Sequence, residues 1–282
     1  MIKFEHSIFA LPFALTGALL AISDGGMSWG EVWGKLGLIV VAMVGARSAG
    51  MTFNRIVDAA IDGRNPRTRE RHIPAGLLSK RFAWVFLAVA VGVFVAAAWA
   101  LNPLCLALSP VALLIVMGYS LTKRFTSMSH LVLGFALGIA PAAAWIAIRG
   151  SLDVRILWLT AAVTFWTAGF DIIYSCQDVD FDTTEKLFSL PKALGVGGAL
   201  WVSRLLHAVM VGCLVMLWRE FALGALGAAG IAAIAGLLVY EHRLVRADDL
   251  SRVNAAFFTV NGYVSVLFFV FWAADVALGH WG

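Results

Sequence analysis

Charge is what this chain has least of. Of its 282 residues only 13% are Asp, Glu, Lys or Arg, about half the share of an average soluble domain. That excludes the ordinary solvated surface of a globular protein. Cysteine is scarce as well. Cys105, Cys176 and Cys213 share no CxxC spacing, so buried thiols are the expectation. No basic stripe is interleaved with aromatic residues, which argues against nucleic acid as a partner. The net charge of +4 reflects Lys and Arg gathered in loops. No linker, low-complexity tract or fixed-period repeat stands out. One domain over residues 1–282 is expected, with no obligate protein partner.

What is there is apolar. Hydrophobic residues make up 61%, the mean hydropathy is +0.87, and there are 11 Trp and 19 Phe. This is the composition of a polytopic membrane protein embedded in the lipid bilayer. Nine apolar spans, each about long enough to cross as a helix, lie near residues 7–23, 35–61, 82–101, 103–122, 130–149, 155–180, 196–217, 221–240 and 254–278. The expected fold is all-α, with nine transmembrane helices. The run Ile8–Ile22 after Lys3 has the look of a signal peptide. Glu5 and His6 interrupt the usual basic start and many similar spans follow, so it reads as the first transmembrane helix.

The connections alternate in character. Residues 63–81 carry Arg64, Arg67, Arg69, Arg71, Lys80 and Arg81, and residues 123–129 carry Lys123 and Arg124. Residues 181–195 carry Lys186 and Lys192, and residues 241–253 carry Arg243, Arg246 and Arg252. The connections at 24–34, 101–103, 150–154 and 218–220 are short and poor in such residues. The positive-inside rule then places the N-terminus and all four basic loops in the cytoplasm, with the C-terminus outside.

Two polar stretches close apolar spans. The first is NRIVDAAID, residues 54–62. Four-residue steps on a helix turn about 400° and drift only about 40°. Asn54, Asp58 and Asp62 therefore share one face at the end of the second span. Arg47, seven residues earlier, has nearly the same azimuth about two turns deeper. An arginine at that depth needs a cavity or a partner; a substrate group and a structural ion pair both satisfy this. The second stretch is DIIYSCQDVDFD, residues 171–182. Asp171, Asp178 and Asp182 share a face, Tyr174 lies between them in phase, and Asp180 falls off it.

No basic residue accompanies the second stretch before Lys186, so something positive is expected among its carboxylates. Carboxylate oxygens suit Mg²⁺, which commonly binds one or two carboxylates plus substrate phosphates. Two such clusters could clamp a diphosphate. Arg67 and Arg71 follow the first cluster, and Lys123 and Arg124 come one turn after Tyr119. Cations there suit a departing phosphate. Topology and lipid headgroups suffice to explain Lys80, Arg81, Arg243 and Arg246.

These residues resemble the motifs of the UbiA superfamily of intramembrane aromatic prenyltransferases. NxxxDxxxD is matched by Asn54, Asp58 and Asp62, DxxxD by Asp178 and Asp182, and the preceding DxxY by Asp171 and Tyr174. NPRT (65–68), IPAG (73–76), YSLTKRFT (119–126), KFEHSIFALPFAL (3–15) and HLVLGFALGIAP (130–141) resemble the 4-hydroxybenzoate polyprenyltransferase branch. The likeness covers nearly the whole chain and is weakest after about residue 200. One position departs: many members carry Asp after the motif's Asn, where this chain has Arg55, in phase off the motif face.

The resemblance implies a helical bundle around a central cavity in a bacterial inner membrane. It implies Mg²⁺-dependent transfer of a polyprenyl group from its diphosphate to an aromatic acid, 4-hydroxybenzoate foremost and a dihydroxynaphthoate as the alternative. The matched positions make Asn54, Asp58, Asp62, Asp178 and Asp182 the metal cluster, and Arg67 and Lys123 the diphosphate contacts. Arg47 is the candidate for the acceptor's carboxylate or hydroxyl. Tyr119, Asp171 and Tyr174 are candidate substrate contacts, and a carboxylate of the second cluster is the candidate proton acceptor. Haem O synthase and chlorophyll synthase share both motifs and are rival readings. An ion transporter is another, and it predicts carboxylates near mid-membrane on broken helices. An inactive structural homologue is opposed by the complete set of motif carboxylates.

Overall fold

The computed structural model describes residues 7–25 and 29–281. Lys3, Glu5 and His6 lie outside them. The helices are α1 (Ser7–Ser23), α2 (Trp29–Val57), α3 (Ala59–Arg64), α4 (Lys80–Leu101), α5 (Pro103–Thr122), α6 (Ser129–Arg149), α7 (Leu157–Ser175), α8 (Val179–Thr184), α9 (Leu190–Glu220), α10 (Ala225–Leu244) and α11 (Asn261–Trp281). A π-helical turn, Ala255–Val260, precedes α11. Among the described residues, eight helical segments are long and apolar enough to cross a membrane, and Phe9–Ser23 is a shorter apolar helix.

The ends follow from local chemistry. Ser79 caps α4, its Oγ accepting from Phe82 N–H at 3.1 Å. Asn102 caps α5, accepting from Cys105 N–H at 2.8 Å, with Pro103 at the first helical position, where no N–H is needed. The Asn102 amide also donates to Ile146 O at 2.9 Å, pinning the α4–α5 junction to the end of α6. Gly150, at φ +69°, ends α6 in the left-handed region.

The helices approach one another over small residues, as expected where lipid removes the hydrophobic drive between them. A side chain at Gly134 would meet Thr164 O of α7 at 2.2 Å, and one at Gly17 would meet Pro141 O of α6 at 2.5 Å. Trp33, Trp99 and Leu114 point outward and exposed, while Phe13, Trp145, Trp166 and Trp272 are buried. This pattern suits a bilayer as solvent.

Four expected spans differ from the observed helices; the eighth runs four residues later, as Ala225–Leu244. The second breaks at Asp58 into α2 and α3, and the sixth breaks into α7, a 3₁₀ turn at Cys176–Asp178, and α8. The seventh begins earlier, because Leu190–Leu194 forms a helical turn hinged on Gly195 at φ +72°. Cys176 and Cys213 are buried thiols as expected, and Cys105 is half-buried; all three are free.

Candidate active site

The two acidic motifs meet at one end of the bundle, each at a break in its helix. Asp58 adopts φ −92°, ψ 0° between α2 and α3. Hydrogen bonding nonetheless continues across the break. Asp58 N–H donates to Asn54 O at 2.9 Å, and Asp62 N–H donates to Asp58 O at 2.7 Å. The four-residue phase therefore survives. Asn54, Asp58 and Asp62 line one polar cavity of about 200 Å³ together with Asp171, Tyr174, Asp178 and Asp182.

Cations are interleaved with these carboxylates. Lys123 Nζ lies 2.9 Å from Asp58 Oδ2, and Arg124 Nη2 lies 2.8 Å from Oδ1. Asn54 also donates to Asp58 Oδ2, at 2.9 Å. The same Arg124 nitrogen donates to Val57 O at 2.8 Å, satisfying a carbonyl freed at the end of α2. Arg71 Nη1 is 2.7 Å from Asp62 Oδ1. Thr68 Oγ1 donates to Asp62 O at 3.0 Å, tying the following loop back onto α3.

Arg67 forks onto Asp178. Nε donates to Oδ1 at 3.0 Å, Nη2 pairs with Oδ2, and Nη1 donates to the Tyr174 hydroxyl at 2.9 Å. The guanidinium also lies over the Tyr174 ring, 5.0 Å from its centroid. Asn65 fixes this arrangement: its Oδ1 accepts from Arg67 N–H at 2.9 Å, and its Nδ2 donates to Asp178 Oδ1 at 3.2 Å. This is an Asx turn. Burial works against the Arg67 cation, but the Asp178 hydrogen bond and charge prevail and hold its pKa above the ordinary arginine value.

A second, apolar cavity of about 880 Å³ runs inward among α1, α2, α4, α5, α6 and α7. Met43, Phe94, Leu137 and Phe170 are among its walls, and Arg47 and Tyr119 bring polar groups into it. Arg47 is therefore placed apart from the acidic cluster. Its Nε is buried without a hydrogen-bond partner, and it makes no ion pair among the described residues, so the structural ion-pair explanation fails.

Arg67 and Lys123 line the polar cavity as expected, and Asp180 is exposed outside it. Arg55 does not line it, but its Nη1 reaches to 3.8 Å from Asp62 Oδ2. Asn65, Arg71, Arg124 and His130 complete the constellation; Arg71 and Arg124 were expected only as nearby cations, and Asn65 and His130 were not expected at the site. Arg71 and Arg124 carried the same signal as their chosen neighbours. His130, which bonds Asp171 across 41 residues, carried none.

The donor set bears on metal binding. Among the described residues no three Asp, Glu, His or Cys side chains form a ready-made metal cage. Asp62 Oδ2 is buried without a hydrogen-bond partner, and further carboxylate oxygens border the same cavity. Such hard donors fit a cation that completes its shell with water and phosphate oxygens rather than with protein alone.

Comparison with known proteins agrees with this architecture. The UbiA prenyltransferase family matches residues 10–273. The chain is 31% identical, over 253 residues covering 87% of it and 86% of the relative, to a 4-hydroxybenzoate octaprenyltransferase of Vibrio cholerae serotype O1. The apo structure of a UbiA homolog from Aeropyrum pernix K1 superposes with a TM-score of 0.86 at 34% identity, covering 99% of this chain and 100% of that one. A UbiA homolog from Archaeoglobus fulgidus bound to DMAPP and Mg²⁺ shares the fold, with a TM-score of 0.69 at 20% identity and 96% of each chain covered. The chain is an integral membrane protein and belongs to the UbiA prenyltransferase family.

Proposed function

We propose that this protein transfers a polyprenyl group from an isoprenyl diphosphate to 4-hydroxybenzoate in a Mg²⁺-dependent reaction. One observation carries the reading: a polar cavity of interleaved carboxylates and cations adjoins a larger apolar cavity at Asp171. The first suits a metal-bound diphosphate, and the second suits a prenyl chain. The name of the Vibrio relative supports the acceptor, and the ligands of the Archaeoglobus homolog support the donor and the ion.

In this reading Asn54, Asp58, Asp62, Asp178 and Asp182 hold the ion and, through it, the diphosphate. Mg²⁺ supplies charge that stabilises the departing diphosphate. Arg67 and Lys123 contact the phosphate oxygens, with Arg71 also lining the cavity and Arg124 behind it. Arg47 faces the acceptor's carboxylate, and Tyr119 and Tyr174 orient the substrates. The apolar walls keep water from the allylic cation formed when the C–O bond breaks. The basic loops support a cytoplasmic orientation for this end of a single-domain bundle in a bacterial inner membrane. The transporter reading requires broken helices at mid-membrane; here the breaks follow Val57 and Ser175, near the ends of their apolar spans rather than at their middles.

The test is a product assay. Proteoliposomes receive Mg²⁺, a long polyprenyl diphosphate, and either 4-hydroxybenzoate or 1,4-dihydroxy-2-naphthoate, and the product is identified by mass. Prenylated 4-hydroxybenzoate is expected. A product from the naphthoate alone would replace the acceptor, and ion flux without prenyl transfer would overturn the class.

A further inference from the structure

We propose that Asp171 is the base that takes the ring proton of the aromatic acceptor, and that His130 is the positioning residue that aims it. This rests on the prenyl-transfer reading above. Asp171 is the one side chain that lines both cavities among the described residues. The other acids of the polar cavity border only that cavity. Asp58, Asp62 and Asp178 are each held there by Lys or Arg. A proton released where the prenyl chain meets the aromatic ring thus has one carboxylate at hand.

The hydrogen bonds of His130 fix the orientation of that carboxylate. His130 stands in the first turn of α6, with its side chain 5% exposed. Its Nε2 accepts from Leu190 N–H at 3.4 Å. A backbone N–H can only donate, so in the neutral ring the proton resides on Nδ1. Nδ1 lies 2.7 Å from Asp171 Oδ2 and donates to it. One Asp171 oxygen is thereby held while the side chain stays 24% exposed, which leaves Oδ1 to act. A carboxylate fixed at one oxygen and open at the other has the geometry a general base needs. Leu190 opens α9, so the bond also ties this pair to the segment that follows α8.

The step balances. The C–O bond between the prenyl carbon and diphosphate breaks, and diphosphate leaves with that pair. A ring π pair of the acceptor forms the new C–C bond to the allylic cation. The ring C–H pair then returns to the ring as the proton passes to Asp171 Oδ1. The neutral carboxyl later yields the proton to water in the polar cavity that it also borders.

The experiment uses the full chain in proteoliposomes with Mg²⁺, geranyl diphosphate, and 4-hydroxybenzoate either unlabelled or deuterated at ring positions 3 and 5. Asp171→Asn keeps the shape of the side chain. It is expected to lower kcat by about 10²–10⁴-fold, with KM for both substrates within about threefold. The deuterium effect on kcat grows over that of the unaltered chain, because ring deprotonation becomes limiting. His130→Leu lowers kcat by about tenfold with the same growth. His130→Asn, which offers an amide donor in place of Nδ1–H, recovers part of the loss and serves if the leucine variant unfolds. An Asp171→Asn chain that turns over at the original rate overturns the proposal. So does one that only raises KM for the diphosphate, or that slows with no change in the isotope effect. An unaltered chain that forms no prenylated 4-hydroxybenzoate removes the acceptor assignment first and this proposal with it.

Discussion

The two halves of the acidic site both pair carboxylates with cations but hold them differently. Asp58 and Asp62 are buried, at 1% and 4% exposed, and their cations come from elsewhere in the chain: Lys123 and Arg124 beyond α5, and Arg71 in the loop after α3. Asp178 is more open, with its side chain 17% exposed, while the paired cations of both halves are about equally open, Arg67 and Lys123 each at 32%. A buried carboxylate is bound into the fold, because its own charge is cut off from water and depends on the groups that hydrogen-bond it. An open pair can exchange partners at little cost. The first half should therefore couple ligand binding to stability, and the second half should bind with little effect on the fold.

The most severe test of that contrast is Asp58→Ala. It removes a ligand and leaves Lys123 and Arg124 unpaired. Prenyl transfer should fall to background, and unfolding free energy should drop by about 2–3 kcal/mol through the lost charged hydrogen bonds to a buried carboxylate, read as an earlier thermal melt in detergent. A variant that melts like the unaltered chain would break the comparison. Asp178→Ala should abolish prenyl transfer as fully, yet cost under about 1 kcal/mol of stability, because Asp178 itself is already partly in water. Equal destabilisation by both substitutions would mean that exposure does not separate the halves.

A finer test lies within one pair of neighbours. Lys123 lines the cavity, whereas Arg124 does not and instead bonds the backbone at Val57. Lys123→Met should lower kcat and raise KM for the diphosphate, with a small change in the melt. Arg124→Met should chiefly destabilise, by about 1–3 kcal/mol, through the lost charged hydrogen bonds at the end of α2. Titrating diphosphate against each variant, with melts run in parallel, distinguishes them.

The sequence made some of this arrangement legible and concealed the rest, for physical reasons. Long apolar runs mark spanning helices because lipid demands them, so eight spanning helices and a shorter apolar one lie near the nine expected runs among the described residues. Asn54, Asp58 and Asp62 could be grouped because hydrogen bonding continues through the break at Asp58 and preserves their phase. The breaks themselves left no mark. No Pro or Gly stands at Asp58 or at Cys176–Asp178, so a continuous helix was the natural expectation. The choice among Arg67, Arg71, Lys123 and Arg124 depended on loop paths that composition does not encode. The His130–Asp171 bond joins different helices, and no single-helix periodicity could have linked them.

Arg55 gives the smallest expected effect and the sharpest view of what the first half requires. Many family members carry an acid at this position, and its replacement by a cation should matter if that carboxylate were an obligatory ligand. Here Arg55 lies outside the cavity lining, and its approach to Asp62 Oδ2 is a long 3.8 Å. Arg71 already holds the other oxygen at 2.7 Å. A contact of that length between partly exposed and buried groups adds little to a carboxylate with a close partner. Arg55→Gln should leave kcat, the Mg²⁺ midpoint and the melt nearly unchanged, within about threefold for the kinetic constants. A tenfold loss would place Arg55 inside the charge balance of Asp62. The buried half of the site would then depend on a cation that borders it from outside as much as on those that line it.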